Sequence, residues 1–553
     1  MHPRSLILLG TAGLLASVGC TAPEFVLLRG AAYTLEEGAD PALAFSGIVG
    51  VPDLDDDNDN GRPDWDDASI DESDDTSPFF IPSDLWRRIG RQQVLRLTLP
   101  EGDAELRIWN DGALILGDND GDAALLSFDV PRPEDTAPLQ FDVQLRRPGR
   151  GGLVVMERLK PDGTVLETTE LPLMAASLVM NTHSQPAERV MAVAVDFGGT
   201  YENRAMIADY EDSLGDRFET IDGADYEGDV WVQDEIEFAT YSAPDTRIDL
   251  VIDSIRDRGL DDVAEELFED SEFLVQTWGS GFASSQDSFG NLEATPPITV
   301  DGVHYPFGRV YWGDAGGQAQ VAEELQEMFR GMTVQAPFEL DTSWLCVGHV
   351  DEFMSWIPDP TAPKGWRLVY TDIPGAWELL ESMDPATPLP RYQQAHGFAT
   401  VGEILADNAV RALNEDLWDD YLEPNLEILR REAGVTDEDI LWLPGLFEVA
   451  SGCGGGTAAL IPGMANLIVS NFPGETPMLF MADPFLRTDG GRQGDDPMIS
   501  RVRELFGSGF DVHFLDDFWV YHYGLGEVHC GTNVIRTPVQ GWWNLAGPLL
   551  SGN

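Results

Sequence analysis

The chain has 553 residues, 43% of them hydrophobic, with 15 Trp and 26 Phe. That length exceeds one ordinary core and that composition excludes a disordered chain, so two or three packed domains are expected. A formal net charge of −64, with Lys160 and Lys364 as the only lysines, sets up a field that repels nucleic acid and attracts cations, both metal ions and basic substrates.

The amino terminus, Met1-His-Pro-Arg4 followed by the apolar run 6–18, has the form of a signal peptide and is too short to span a membrane. Ser17-Val-Gly-Cys20 resembles a bacterial lipobox, with Ser17 in place of the usual leucine. Residues 1–20 therefore predict export, as a secreted protein or a cell-envelope lipoprotein anchored through Cys20, and 21–45 read as a linker. The four cysteines, Cys20, Cys346, Cys453 and Cys530, show neither the clustered pairs of a zinc site nor the spacing of a disulfide framework. Cys346 and Cys453 are free to pair in an exported protein, though nothing in the sequence requires it. Cys530 is left as a candidate reactive thiol.

Residues 53–75 are densely acidic: Asp53-Leu-Asp-Asp-Asp-Asn-Asp-Asn-Gly-Arg-Pro-Asp-Trp-Asp-Asp67, then Asp71, Glu72, Asp74 and Asp75. Alternate oxygen ligands before a glycine turn are what a loop needs to wrap a hard cation. The register Asp56, Asn58, Asn60, Gly61 and Asp67 fits an EF-hand loop with Asp replacing the final Glu. Charge runs are more often solvated linkers; Gly61 and the interleaved Leu54 and Trp65 nevertheless suit a folded loop, so we read a calcium site with Asp53, Asp55, Asp57, Asp64 and Asp67 as candidate ligands. From about 80 to 180 come short alternating runs, 93–99, 106–109, 140–145 and 153–156, separated by the turn signals Glu101-Gly-Asp, Asn110-Asp-Gly, Pro148-Gly and Pro161-Asp-Gly. That is the pattern of an all-β sandwich, with no catalytic grouping inside it.

Past residue 180 strands and helices alternate, as in an α/β domain: an apolar strand at 190–195, a helix at 252–269, a strand at 310–312 and a helix at 318–330 are expected. Three stretches carry chemistry. Taken as a strand, Asp229-Val-Trp-Val-Gln-Asp-Glu-Ile-Glu237 puts Asp234 and Ile236 on one face and Gln233, Glu235 and Glu237 on the other. In Trp344-Leu-Cys-Val-Gly-His-Val-Asp-Glu-Phe353 the spacing points His349 and Asp351 the same way. The third is Cys530, preceded by His529 and Glu527 and followed by Gly-Thr-Asn. Singly, each residue is more often a cap, a core histidine or an inert thiol. The Gly-rich Ser451-Gly-Cys-Gly-Gly-Gly456 lacks the Lys-Ser/Thr of a phosphate loop and reads as a mobile loop.

The order Asp, His-x-Asp, Cys is similar to that of the guanidino-modifying enzymes. Val232-Gln-Asp-Glu-Ile-Glu237, Asp253-Ser-Ile-Arg-Asp-Arg-Gly-Leu260, Ser288-Phe-Gly-Asn-Leu-Glu293, Val347-Gly-His-Val-Asp-Glu-Phe353, Gly526-Glu-Val-His-Cys-Gly-Thr-Asn533 and Gly541-Trp-Trp-Asn544 resemble motifs of the protein-arginine deiminases, across about residues 170–553. The resemblance implies a five-bladed α/β propeller (pentein) over 176–553, preceded by an immunoglobulin-like sandwich over 46–175 that is similar to the family's calcium-binding middle domain. The family's separate amino-terminal domain is expected to be absent or reduced.

The activity implied is calcium-dependent hydrolysis of peptidyl-arginine to peptidyl-citrulline and ammonia, in arginine-containing peptides or proteins, through a thiouronium on Cys530. Asp234 and Asp351 would grip the planar N–H fork, and His349 would serve as acid and base. By resemblance Trp231 and Val347 line the slot, and Arg258, with Arg256, binds substrate backbone; both arginines are also natural ion-pair partners for Asp253 and Asp257. Calcium ligands are implied at Gln233, Glu237 and Glu293 with the carbonyls of Phe289 and Leu292, and at Glu235, Asp253, Ser254 and Asp257, the last standing where the family often has Asn. Oxygen ligands without clustered His or Cys favour Ca2+ over zinc or copper. Some family members carry arginine at the position of Gly524. Alternatives are a deiminase or hydrolase of a free guanidino compound such as arginine or agmatine, and a non-catalytic calcium-dependent binding protein.

Overall fold

The computed structural model describes residues 45, 47–52, 76–81, 85–100, 106–119, 122–133, 138–244, 246–268, 273–316, 319–389, 397–487 and 492–550. The acidic loop with Asp53, Asp55, Asp57, Asp64 and Asp67, and the signal segment with Cys20, lie outside the described residues.

Between residues 48 and 175 the alternating runs form two five-stranded sheets. One is ordered Ile48–Gly50, Val165–Ala175, Gly151–Leu159, Val94–Thr98, Ser127–Val130. The other is ordered Thr76–Ile81, Leu139–Leu145, Leu106–Asn110, Ala113–Asn119, Asp122–Leu125. All four expected strands are present, with ends shifted by a few residues. Leu95, Leu97, Val154 and Met156 from one sheet meet Phe79, Leu106, Ile108, Phe141 and Val143 from the other in a single apolar core. Each such side chain, fully buried, contributes about 1.5–3 kcal/mol. The Asn110-Asp-Gly signal closes a hairpin in which Asp111 and Gly112 adopt φ of 50° and 75°, the left-handed pair a two-residue turn needs.

Beyond residue 176 one wiring recurs five times among the described residues: two antiparallel strands, a crossover carrying at least one helix, and a strand parallel to the second. The sheets are Thr532–Arg536 with Ala187–Ala194 and Phe218–Asp222; Ile236–Ala243 with Thr246–Asp253 and Phe273–Thr277, flanked by Leu178–Met180; Leu292–Ala294 with Val310–Asp314 and Phe338–Asp341; Met354–Pro358 with Trp366–Asp372 and Ile440–Pro444; and Ile468–Ser470 with Met478–Ala482 and Asp511–Leu515. In the central strand Ala187–Ala194 the run Val190–Val193 is apolar and buried throughout because both faces are covered there. In the first sheet the strand just after Cys530 returns to pair with the strand near residue 190. That closure carries the thiol back across nearly 300 residues of sequence to the segment that holds Asp234.

Three expectations need correcting. Residues 252–269 are not one helix: Leu250, Val251 and Ile252 are fully buried in the strand Thr246–Asp253, and only Val263–Phe268 is helical. Continuous apolar residues suit a doubly covered strand, which periodicity does not separate from a buried helix. Residues 229–237 are not one strand: Val232–Glu235 make a helical turn held by Gln233 N donating to Cys530 O at 3.2 Å and Asp234 N to Trp231 O at 3.1 Å, and the strand starts at Ile236. The Gly-rich loop is tied down, since Cys453 forms a disulfide with Cys346 and Cys346 N donates to Thr457 O at 2.8 Å. The helix expected at 318–330 is Glu323–Gly331. Among the described residues no helix is long and apolar enough to cross a membrane.

Candidate active site

Cys530 ends a turn that leads into Thr532–Arg536, and its side chain is buried. Its thiol lies 3.3 Å from Asp351 Oδ2 and accepts a hydrogen bond from Asn466 Nδ2 at 3.2 Å. Asp351 sits in the short 3-10 turn Val350–Glu352, whose cap is His349. Glu352 Oε1 accepts from the backbone N–H of His349 at 2.8 Å and Gly348 at 3.0 Å, which fixes the turn. The His349 ring is anchored through Nε2 to Ser285 O at 2.8 Å, and its Nδ1 faces Asp234 Oδ1 at 3.5 Å. Burial, reinforced by the carboxylates of Asp351 and Asp234, pushes the Cys530 thiol well above its ordinary range. Burial also raises Asp234.

Gly290 marks where these groups converge. A Cβ there would fall 2.8 Å from His349 Nδ1 and 3.0 Å from both Asp234 Oδ1 and Asp351 Oδ2. Asp234 Oδ1, Asp351 Oδ1 and His349 Nδ1 are buried without a hydrogen-bond partner among the described residues. Each such group costs about 1–3 kcal/mol, so the site is built for a ligand that donates hydrogen bonds to two carboxylates at once. Trp231 closes one side: a Cβ on Gly526 would lie 2.5 Å from its ring and 3.3 Å from Cys530 Cβ, and one on Gly524 would lie 2.9 Å from the ring. The indole packs against Tyr521, with ring centroids 5.4 Å apart. At Gly524 any larger side chain therefore requires Trp231 to move.

Beside Asp234 a cavity of about 450 Å3 opens, lined among others by Arg258, Phe282, Ser285 and Val347. The Val347 carbonyl on its wall accepts from Ser285 Oγ at 2.6 Å. Arg256 is buried against Glu235 at 3.0 Å and Asp229 at 3.7 Å, whereas Arg258 is 53% exposed and touches Asp229 at 3.3 Å. The arginines thus pair with Asp229 and Glu235 rather than with Asp253 and Asp257. Both line the cavity, Arg258 half-exposed and Arg256 held inward as a counter-ion.

The first implied calcium set is brought together. Gln233 Nε2 donates to Glu237 Oε1 at 2.6 Å and to the Phe289 carbonyl at 3.4 Å, and Glu293 lines the same small cavity as Gln233 and Glu237. Leu292 is buried at the start of the strand that carries Glu293. Burial pushes Glu237 up to about 7 and Glu293 to about 8. In the second set, Glu235 is raised to about 9 and Asp253 to about 7, both chiefly by burial. Ser254 N donates to Glu235 O at 2.9 Å, and Ser254 Oγ is engaged with Asp287 O at 2.9 Å. Glu235 Oε1 and Asp253 Oδ1 are buried without hydrogen-bond partners among the described residues, while Asp257 is exposed.

Sequence reasoning missed Asn466, Asp229 and the role of Gly290. Asn466 bonds the thiol through Nδ2, and its Oδ1 accepts from His529 N at 2.8 Å and Cys530 N at 3.3 Å. It lies in no motif, so nothing local marks it. Gly290 sits inside the quoted Ser288–Glu293 segment, and a glycine among chemistry-bearing residues is the signal that was available.

The family model described as protein-arginine deiminase (PAD) matches residues 168–544. Protein-arginine deiminase type-4 of Homo sapiens is 31% identical over 408 residues, 70% of this chain and 58% of that protein. Type-1 of Homo sapiens is 31% identical over 447 residues, 76% and 65% respectively. This chain therefore spans 58–65% of the length of these curated relatives. Among solved structures, C. jejuni agmatine deiminase aligns with 66% of this chain and 98% of its own, at 10% identity and a TM-score of 0.36. With a family model matched over residues 168–544, the chain belongs to the protein-arginine deiminase family.

Proposed function

We propose that the protein is a calcium-dependent protein-arginine deiminase that hydrolyses peptidyl-arginine to peptidyl-citrulline and ammonia. The observation that carries the reading is the convergence of two under-bonded carboxylates, Asp234 and Asp351, with His349 around Gly290, and the Cys530 thiol held against Asp351. A guanidinium carbon is a poor electrophile because three nitrogens share its charge, so the site must hold it in line with a soft nucleophile. Asp234 and Asp351 accept the N–H fork. The arriving cation offsets the two negative charges that, with burial, hold the thiol protonated, so the thiolate forms as substrate docks. It attacks the carbon, and His349 passes the proton given up by the thiol to the departing ammonia. His349 then takes a proton from water, whose oxygen displaces sulfur, and citrulline leaves.

The donor set at Gln233, Glu237, Glu293 and the Phe289 carbonyl fits a hard cation: buried oxygens with too little positive charge nearby. Calcium bound there would supply that charge beside the turn that holds Asp234. The second set fits in part, since Arg256 already neutralises Glu235. For the fold, the fivefold wiring and the closure of Thr532–Arg536 onto Ala187–Ala194 support a five-bladed α/β propeller, and the shared core of the two five-stranded sheets supports an immunoglobulin-like sandwich. A disulfide between Cys346 and Cys453 supports export to an oxidising compartment, with Cys20 as the proposed lipid anchor.

The half-exposed Arg258 at the cavity mouth supports a peptide over a free amino acid. The test is ammonia release from a blocked arginyl peptide and from free arginine, with and without calcium, for the wild type and Cys530→Ala. Calcium-dependent release from the peptide that Cys530→Ala abolishes is expected. Preference for free arginine, or activity retained without Cys530, would overturn the reading.

A further inference from the structure

We infer that His183, Glu293 and His529 form a second metal site, one that takes a borderline transition-metal ion of the zinc class and competes with calcium for Glu293. Glu293 Oε2 lies 3.8 Å from His183 Nε2, and its Oε1 lies 3.3 Å from His529 Nε2; the ligating atoms all fall within 4.8 Å of one another. A tetrahedral ion with bonds of about 2.0–2.1 Å spaces its donors roughly 3.3 Å apart. One pair already stands at that spacing, and the Glu293 Oε2–His183 Nε2 pair, at 3.8 Å, is slightly wider.

Each histidine is oriented through its Nδ1. His183 Nδ1 lies 3.1 Å from Trp356 O, and only an N–H can bond a carbonyl, so Nε2 presents its lone pair. His529 Nδ1 lies 2.9 Å from Asp351 Oδ2 and its Nε2 3.3 Å from Glu293 Oε1, both carboxylate oxygens, so the metal-free ring donates to both and an incoming ion would displace the Nε2 proton. A histidine whose far nitrogen donates to a carbonyl or carboxylate is the usual orientation of a metal ligand. Between the side chains is a cavity of about 20 Å3, room for one water-sized occupant. Glu237, Glu293 and Arg536 line it, and Arg536 is tied to Gln185 O, Asn471 Oδ1 and Val469 O at 2.9–3.1 Å. Once an ion has displaced the protons, two carboxylates stand against one guanidinium around it. Two imidazole nitrogens then select against calcium, which takes oxygen, and for zinc, cobalt or nickel.

The site reaches the nucleophile through one atom. Asp351 Oδ2 is shared by His529 Nδ1 and the Cys530 thiol. An ion on His529 Nε2 holds the proton on Nδ1 and keeps Asp351 Oδ2 in that bond, away from a guanidinium, while it takes Glu293 from calcium. Zinc-class ions are therefore inhibitors. The inhibition rests on the proposed deiminase reading; the binding does not.

The test titrates Co2+ into the metal-free full chain, following its visible absorption, with calcium affinity measured by calorimetry. His183→Gln and His183→Asn, which keep an N–H for Trp356 O, are run in parallel, and retained calcium affinity shows that a variant is folded. One bound Co2+ is expected, displaced by calcium, with affinity at least about tenfold weaker in the variants and calcium affinity unchanged. No cobalt absorption, equal cobalt affinity in a folded His183 variant, or both ions bound without mutual weakening would each overturn the site. Zinc inhibition of ammonia release as strong in the variants as in the wild type would overturn the link to Asp351, and an inactive chain would still leave the cobalt titration to decide the site.

Discussion

The two-sheet region and the recurrent α/β region use burial in opposite ways. Among the described residues before 176, Arg107 and Gln144 are the only buried polar side chains; the rest of that core is apolar. Beyond 176 the interior holds Asp234, Glu235, Asp253, Glu293, His349, Asp351, Asp517 and His529. Apolar burial is favourable without any partner. Buried carboxylates are stabilised only by a proton, an internal counter-ion or a bound cation. The described core of the first region should therefore be indifferent to ligands, and that of the second should be tuned by them.

The largest expected effect falls on stability alone. Phe141 is fully buried and stacks on Phe79 at 5.1 Å, so Phe141→Ala should cost about 3–5 kcal/mol in chemical denaturation with ammonia release per folded molecule unchanged. A loss of turnover beyond the unfolded fraction would show the regions to be coupled. Gly290→Ala should do the reverse: a methyl 2.8 Å from His349 Nδ1 should lower turnover at least about 10²-fold while the melting curve stays close to wild type.

The disulfide closes a separation of 107 residues in sequence, so Cys346→Ser should remove about 2–4 kcal/mol. Because Cys346 lies three residues before His349, turnover should fall as well; melting and assay with and without reductant measure both.

A further effect concerns the thiol. Asp351 raises Cys530 by its negative charge, and removing that charge stabilises the thiolate and lowers the thiol pKa. Asp351→Asn should then alkylate at Cys530 about tenfold faster for each unit of that decrease, even as turnover collapses. Alkylation should quicken with rising pH in both proteins, and equal rates would show burial to dominate. The smallest effect is expected at Arg258, where Arg258→Ala should raise KM a few-fold for blocked peptides and hardly at all for free arginine, as expected for a half-exposed contact; equal changes would remove its proposed role.

Much of this was legible in the sequence because its signals are local. Alternating runs with Asn110-Asp-Gly between them specify a hairpin whatever surrounds it, and the motifs around Asp234, His349 and Cys530 identify the family. Local pattern misled at 229–237 and 252–269, where contacts from distant segments set the backbone. The helical turn at Val232–Glu235 is held by the Cys530 carbonyl, nearly 300 residues away. What the sequence determined was a candidate set, Asp234, His349, Asp351 and Cys530, without Asn466 or Asp229. Only the tertiary structure decided how they meet: closure of the carboxyl-terminal strand onto Ala187–Ala194 brings Cys530 to Asp351 and Asn466. Distances between segments so far apart are set by packing, which no single stretch encodes.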